Sequence, residues 1–138
     1  MNDTRPEKPL IVIVEDEPDM AEMFSEMMRL SGYEVIKCQG GTRGIDVISH
    51  KKPQAVILDL MMPDISGLDV LRYMRREPDL QDIPVIVVSA KSMPLDIRKG
   101  LEAGATLYLT KPVGFDELRA AVDSAVEARR AEGDRKTG

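Results

Sequence analysis

Five short apolar runs recur along the chain, and longer segments with helical spacing of apolar residues lie between them. Three of the runs, LIVIV, AVILDL and VIVVS, are nearly continuous in valine, isoleucine and leucine. Such runs are typical of strands that are buried on both faces of a parallel sheet. The pattern therefore predicts five strands, at Leu10–Val14, Glu34–Cys38, Ala55–Leu60, Val85–Ser89 and Leu107–Thr110.

The segments between the runs place their apolar residues on one side of a helix. The predicted apolar faces are Met20, Met23, Phe24, Met27 and Leu30 in the first helix, Ile45 and Ile48 in the second, Leu68, Leu71 and Met74 in the third, Ile97 and Leu101 in the fourth, and Phe115, Leu118, Val122, Ala125 and Val126 in the fifth. Ser66-Gly67 is a start signal for the third helix, and Gly104 is a stop signal for the fourth. This (βα)5 alternation predicts an α/β fold with a doubly wound parallel sheet and right-handed crossovers.

The length of 138 residues fits a single domain with its own core. We expect that domain to span residues 9–128, after a flexible N-terminus at residues 1–8. The apolar face of the fifth helix is lost after about Ala128. Residues 129–138, RRAEGDRKTG, are therefore expected to form a frayed helix end and a polar tail.

Composition excludes several classes of protein. A single cysteine, Cys38, and a single histidine, His50, exclude an internal disulfide and a metal site rich in thiolates or imidazoles. The absence of tryptophan and the net charge of −5 argue against direct nucleic-acid binding. No apolar run reaches the roughly 18 residues of a membrane span, and the N-terminus is polar. We therefore expect a soluble, cytoplasmic domain that binds neither membrane nor nucleic acid.

The candidate chemistry lies where the predicted strands end. Glu15-Asp16 follows the first strand, Asp59 ends the third, Ser89-Ala90 the fourth and Thr110-Lys111-Pro112 the fifth. Each alone is as easily a helix cap or a surface charge. Because the carboxyl ends of parallel strands meet at one edge, however, we expect three carboxylates, a hydroxyl and a lysine to converge there.

Clustered carboxylates repel one another and stay ionised readily only when a cation compensates their charge. Hard oxygen ligands in twos and threes suit Mg²⁺, and a lysine and a hydroxyl opposite them would hold phosphoryl oxygens. No serine, cysteine or histidine has a base beside it in this set. A carboxylate is therefore the expected phosphoryl acceptor, with an acyl phosphate as the product.

These motifs resemble the receiver domain of bacterial response regulators over residues 8–128. The matching segments are Glu15-Asp16 after LIVIV, Asp59 in AVILDLMMPDISG, Ser89-Ala90 after VIVV, and Lys111-Pro112 in AGATLYLTKP. The resemblance implies a flavodoxin-like sheet in the order 2-1-3-4-5. It also implies transfer of a phosphoryl group to Asp59 from a phosphohistidine on a sensor histidine kinase or a histidine phosphotransfer protein.

The resemblance implies a Mg²⁺ site at this edge of the sheet. Asp16 and Asp59 would be direct ligands, and Glu15 would act through or near a metal-bound water. The backbone carbonyl of Met61 would supply a further ligand, whatever the side chain. Glutamate stands at position 15 where aspartate is also common in the family.

The resemblance also assigns residues around the phosphoryl group. Lys111 would pair with the acceptor and later with the phosphoryl group, which Ser89 and Ala90 would also bind. Ser89 stands where threonine is commoner. The Lys111–Pro112 bond matches the family's cis peptide. Tyr108 matches the switch aromatic, and Ala90 is small enough to let its ring turn inward.

Two consequences for regulation follow from the resemblance. The surface formed by the fourth helix, the fifth strand and the fifth helix, around Ile97, Leu101, Tyr108 and Phe115–Arg119, would bind a downstream protein or a second copy. Met61 and Lys91, two residues after Asp59 and Ser89, would set the lifetime of the phosphorylated state. Met61 can shield the phosphoryl group and cannot orient an attacking water, so we expect slow decay.

Several alternatives stay open at this point. The chain is either a stand-alone receiver, which Met1 and the polar end favour, or a receiver from a longer regulator or hybrid kinase. A Mg²⁺-dependent phosphatase with an aspartyl intermediate would carry D-x-D after the first strand, where this chain has Glu15-Asp16-Glu17. A flavin carrier would need a hydroxyl-rich phosphate loop there. The glycine-rich segment 40–44 lacks phosphate-loop spacing and is expected to be a turn.

Overall fold

The computed structural model describes residues 8–137, so most of the expected flexible N-terminus lies outside the described residues. Strands and helices alternate along the chain as predicted. The elements are β1 (Leu10–Val14), α1 (Pro18–Leu30), β2 (Glu34–Cys38), α2 (Gly41–Lys51), β3 (Ala55–Leu58), α3 (Gly67–Arg76), β4 (Val85–Ser89), α4 (Pro94–Glu102), β5 (Leu107–Thr110) and α5 (Phe115–Thr137).

The five strands form one parallel sheet in the order β2-β1-β3-β4-β5, which confirms the predicted flavodoxin-like arrangement. Val14 at the end of β1 pairs with Cys38 on one side and with Leu58 on the other. Leu58 in turn pairs with Val87 of β4. This register brings the carboxyl ends of the central strands to one edge of the sheet.

Alternation of side chains along the strands divides the core into two layers. Ile11, Ile13 and Ile57 face α1 and α5 and pack in one cluster with Phe24 and Leu118. The alternate positions face α2 and α3 and pack in a second cluster, whose members include Val12, Val14, Val56, Leu58, Val70, Leu71 and Met74. The central strands are therefore buried on both faces, which is why their sequences lack polar alternation.

Two element boundaries differ from the sequence prediction. β3 ends at Leu58 rather than Leu60, since the chain turns at the candidate acceptor Asp59.

The segment expected as a polar tail continues α5 as far as Thr137. It contains no proline, and alanine, arginine, glutamate and lysine favour helix. Arg129 also links α5 to the loop before β3, because its Nη1 donates a hydrogen bond to the Pro53 carbonyl at 3.1 Å. None of the described helices combines the length and the hydropathy of a membrane span.

The N-terminus of α2 is capped by a side chain from a distant loop. Gly40 at the N-cap position has no side chain of its own, and the Asp64 carboxylate accepts hydrogen bonds from Gly41 N at 3.0 Å and Thr42 N at 2.9 Å. Hydrogen bonds from these backbone amides hold the pKa of Asp64 well below its ordinary value. The glycine-rich segment is thus a helix start whose amides are occupied by a carboxylate, and Asp64 ties the loop after β3 to α2.

One polar group in α1 is buried without a partner. The Ser25 side chain is fully buried, and its hydroxyl makes no hydrogen bond to any described residue. A buried hydroxyl that loses its water without gaining a partner destabilises the folded state by roughly 1–3 kcal/mol.

We predict that Ser25→Ala raises the free energy of unfolding by about 1–2 kcal/mol, because it removes that desolvation penalty. Urea denaturation would measure the change. Ser124→Ala is the matched control, since Ser124 is exposed on α5 and its substitution gains only helix propensity. An equal gain in the two variants would show that burial of the Ser25 hydroxyl is harmless.

We also predict a pH-dependent contribution from Asp64. Its pKa is lower in the folded state than the ordinary value of 3.8, so it stabilises the fold above that value, and the contribution is lost progressively as the pH falls below it. The stability difference between wild type and Asp64→Ala should therefore shrink as the pH falls from about 4 to about 2 in chemical denaturation. Asp79→Ala is the control, because Asp79 makes only an exposed ion pair with Lys52 at 3.6 Å. The capping role of Asp64 would be wrong if its difference were independent of pH.

Candidate functional site

Hydrogen bonds beyond the strand ends hold the candidate residues in register. Asp59 N donates to Val14 O at 3.0 Å, and Glu15 N donates to Cys38 O at 3.0 Å. The pairing of β1 with its neighbours therefore continues one residue past the strands. Glu15 and Asp59 consequently stand side by side at the carboxyl edge of the sheet.

The Lys111 ammonium group bridges these two carboxylates. Its Nζ lies 2.9 Å from Glu15 Oε1 and 3.2 Å from Asp59 Oδ2. The side chains are 3% exposed for Glu15, 7% for Asp59 and 17% for Lys111, so water screens this cluster weakly. The peptide between Lys111 and Pro112 is cis, as the family resemblance implied. The structure thus brings together three residues predicted from strand ends that are 44 to 96 positions apart.

Burial and charge act in opposite directions on the groups of this cluster. Burial raises the pKa of Glu15, although the hydrogen bond from Lys111 works against it. Burial alone would lower the pKa of Lys111, but the hydrogen bond to Glu15 and the charge of Asp59 raise it above its ordinary value. The Lys111 side chain is therefore protonated and positively charged at neutral pH. One ammonium group opposite two carboxylates leaves the ionised cluster with an excess of negative charge.

The remaining predicted metal ligands surround this cluster. Asp16 is half-buried, and its carboxylate has no hydrogen-bond or ion-pair partner among the side chains that the structure describes. Met61 N donates to Asp59 Oδ1 at 3.2 Å, which places the Met61 backbone beside the acceptor, while its side chain is exposed. In this described range, no three His, Cys, Asp or Glu side chains are already arranged around a metal position. The donors are nonetheless hard oxygens beside excess negative charge, and this chemistry fits Mg²⁺.

Ser89 and Tyr108 form a second group, linked by the backbone of Lys91. Ser89 is fully buried, and its Oγ accepts a hydrogen bond from Lys91 N at 3.2 Å. Tyr108 Oη donates to Lys91 O at 2.6 Å. Burial raises the pKa of Tyr108, so its hydroxyl stays a donor. Ala90 and Lys91 are exposed, and Ser89 joins the charged cluster only through its backbone carbonyl, which accepts from Lys111 N at 2.9 Å.

Two supporting residues were not predicted from the sequence. A Cβ atom at Gly67 would lie 2.3 Å from the Asp59 carbonyl oxygen, so only glycine lets α3 begin against the acceptor's backbone. Asp64 anchors the loop that carries Asp59 and Met61 to α2. Ser66-Gly67 was recognised as a helix start, but its contact with Asp59 depends on the fold.

Alternative nucleophiles do not lie in this cluster. Cys38 is buried in the core, and burial raises the pKa of its thiol, which keeps it protonated. His50 is exposed on α2, where its Nδ1 lies 2.8 Å from the Asp46 carbonyl. The buried carboxylate of Asp59, held by one lysine and one backbone amide, is the group best placed to accept a transferred group.

Comparison with known proteins agrees with this geometry. A search of curated proteins finds response regulator MprA of Mycobacterium sp. (strain KMS), which is 37% identical over 110 residues, or 80% of this chain and 47% of that protein. MprA of Mycobacterium avium (strain 104) is 33% identical over 124 residues, or 90% of this chain and 54% of that protein. The chain thus spans about half the length of these curated relatives.

Solved structures give the same result. The receiver domain of a signal transduction histidine kinase from Syntrophus aciditrophicus superimposes with a TM-score of 0.81 at 32% identity, covering 87% of this chain and 91% of that one. A CheY-like receiver domain from Methanospirillum hungatei JF-1 has a TM-score of 0.85 at 21% identity, over 91% of this chain and 99% of that one, which shows the shared fold. The family model for the response regulator receiver domain matches residues 11–123. The chain therefore belongs to the response regulator receiver domain family.

Proposed function

We propose that this receiver domain is a phosphorylation-controlled switch that accepts a phosphoryl group on Asp59 from a sensor histidine kinase or a histidine phosphotransfer protein. The observation that carries the proposal is the buried Asp59 carboxylate, held by Lys111 beside Glu15 at the carboxyl edge of the sheet. A buried carboxylate next to a fixed cation is a preorganised phosphoryl acceptor. We place this switch in the cytoplasm, where a kinase would meet it.

Receiver domains generally bind Mg²⁺, and the donor set described above fits that ion. We assign Asp16, Asp59 and the backbone carbonyl of Met61 as its ligands, with Glu15 acting through a bound water. When bound, the ion would neutralise charge on the carboxylates and on the phosphoryl oxygens.

The chain's own residues would carry out the transfer as follows. An oxygen of Asp59 forms a bond to phosphorus while the bond between phosphorus and the donor imidazole nitrogen breaks, and the freed imidazole can then take a proton from solvent. Lys111, already within 3.2 Å of Asp59, then donates a hydrogen bond to a phosphoryl oxygen. Ser89 Oγ and the backbone at Ala90 would bind a further phosphoryl oxygen.

The proposed output surface consists of α4, β5 and α5, the face predicted around Ile97, Leu101, Tyr108 and Phe115–Arg119. Exposed apolar side chains occur across α4 and β5, where Leu95 is 55% exposed, Leu101 47% and Leu107 36%. Such a patch is typical of a protein-binding surface. We propose that it binds a downstream protein or a second copy when the Ser89–Lys91–Tyr108 contacts respond to the phosphoryl group.

The length of the relatives favours a second version of this function. The match covers 47% of one MprA regulator and 54% of the other, and in this version the domain would act as the input part of a longer regulator. In the stand-alone version, the same output surface would bind a separate protein. Both versions require phosphorylation of Asp59.

Phosphorylation of Asp59 can be tested with a small phosphodonor such as acetyl phosphate and Mg²⁺. We expect intact-mass spectrometry to show one base-labile phosphoryl group on wild type and none on Asp59→Asn, which lacks the anionic nucleophile. Asp69→Asn is the control, because Asp69 is an exposed carboxylate on α3 and should leave the yield unchanged. A wild-type yield from Asp59→Asn would overturn the assignment.

The lifetime of the phosphorylated state tests the role of Met61. We predict that Met61→Asn speeds decay by roughly tenfold, because an amide at this exposed position can orient the attacking water. Mg²⁺ affinity should not change, since only the backbone carbonyl of Met61 is proposed to touch the ion. Decay is followed by intact mass in excess Mg²⁺ after removal of the phosphodonor.

Two further variants complete the lifetime experiment. Met23→Asn makes the same substitution at an exposed methionine on α1 and should decay like wild type. Lys91→Ala should also change the decay rate if the Lys91 ammonium group pairs with phosphoryl oxygens. Equal rates for Met61→Asn and Met23→Asn would remove Met61 from the control of lifetime.

A further inference from the structure

The ring of Tyr108 lies directly against the backbone of α4 at Gly100. A Cβ atom at Gly100 would lie 2.7 Å from Tyr108 Cδ2 and 2.8 Å from Cε2, and it would meet no other neighbouring group within 4 Å. Real Cβ atoms essentially never approach other heavy atoms so closely. The observed position of the ring therefore requires that residue 100 have no side chain.

This contact joins α4 to β5. Gly100 is the buried residue of α4, whereas Leu95 and Leu101 on the same helix are 55% and 47% exposed. The backbone at Gly100 is in the ordinary helical range, so its conformation does not require glycine. Glycine lowers helix stability, and helix propensity alone would favour alanine here. The space needed by the ring accounts for this glycine.

The same ring position carries the hydrogen bond to the loop after β4. With the ring against Gly100, Tyr108 Oη donates to Lys91 O at 2.6 Å, and Lys91 N in turn donates to Ser89 Oγ. A side chain at residue 100 would displace either the ring or the helix. Both displacements alter the contacts between Ser89, the loop and the α4–β5 surface.

We propose that Gly100 is the positioning residue for Tyr108. The lack of a side chain at residue 100 leaves a space, called the seat below, in which the Tyr108 ring lies against α4. This space sets the equilibrium between the observed ring position and one in which the ring has left the seat. The effect of Gly100 on the position of the ring does not depend on phosphorylation. Its effect on signalling rests on the function proposed above.

A thermal-unfolding cycle tests the contact without phosphorylation. The variants are Gly100→Ala, Tyr108→Ala, their double variant, and Gly133→Ala as the matched control. An added Cβ at Gly133, a helical glycine of α5, meets nothing within 4 Å, so this control should raise Tm by about 2–5 °C through helix propensity. Gly100→Ala should lower Tm in wild type and raise it in the Tyr108→Ala background, where the ring is gone. A similar rise in both backgrounds would overturn the proposal.

NMR spectra report the position of the Tyr108 ring and of the loop after β4. In Gly100→Ala, the Tyr108 ring resonances and the amides of residues 90–93 should shift without any phosphodonor, whereas Gly133→Ala should leave them in place. Unchanged resonances in Gly100→Ala would contradict the proposal.

A final measurement separates this inference from the proposed function. With acetyl phosphate and Mg²⁺, Gly100→Ala should be phosphorylated to the wild-type yield, since it does not touch Asp59, but its spectral response across α4 and β5 should shrink. A full wild-type response in Gly100→Ala would refute the role of Gly100 in signalling. If wild type itself took up no phosphoryl group, the proposed function would fail. The unfolding cycle would still show whether Gly100 makes room for the Tyr108 ring.

Discussion

The ion cluster of Lys111 with Glu15 and Asp59 is the contact on which the rest of the site depends. Burying these charges is unfavourable unless each one has a partner at short range. The three residues come from the ends of β1, β3 and β5, so the cluster forms only when these strands adopt the observed order and register. A slip of one residue in any of these strands would point its charge into the core on the other face.

The apolar pattern was sufficient to predict the elements, because fully buried strands and one-sided helices leave distinct periodicities. The order of the strands came from the family resemblance, since the pattern does not state which strands are neighbours. The pattern predicted the end of β3 at Leu60 rather than Leu58, because Leu60 is as apolar as the strand that precedes it. α5 is longer than expected, since the loss of an apolar face removes packing but does not stop a helix of good helix formers.

The site was predictable as a set of residues but not as a set of contacts. Glu15 was expected to act near a metal-bound water, whereas the 2.9 Å contact of its Oε1 with Lys111 Nζ was not predicted. The close approaches at Gly67 and Gly100, and the cap that Asp64 gives to α2, join residues that are 8 to 23 positions apart in sequence. A single sequence identifies the glycine or the aspartate, whereas the partner is fixed only by the packing of helices on the sheet.

Burial is distributed unequally between the charged cluster and α4. Asp59 and Glu15 follow strands that are buried on both faces, so their positions change only if the core changes. α4 lies over β5 with one buried residue and with leucines exposed, and such weakly packed elements have the lowest free energy of local opening. Lys91 connects the two regions, because its N–H bonds to Ser89 and its carbonyl to Tyr108. A rearrangement at Ser89 would therefore reach an element that has few buried side chains to hold it.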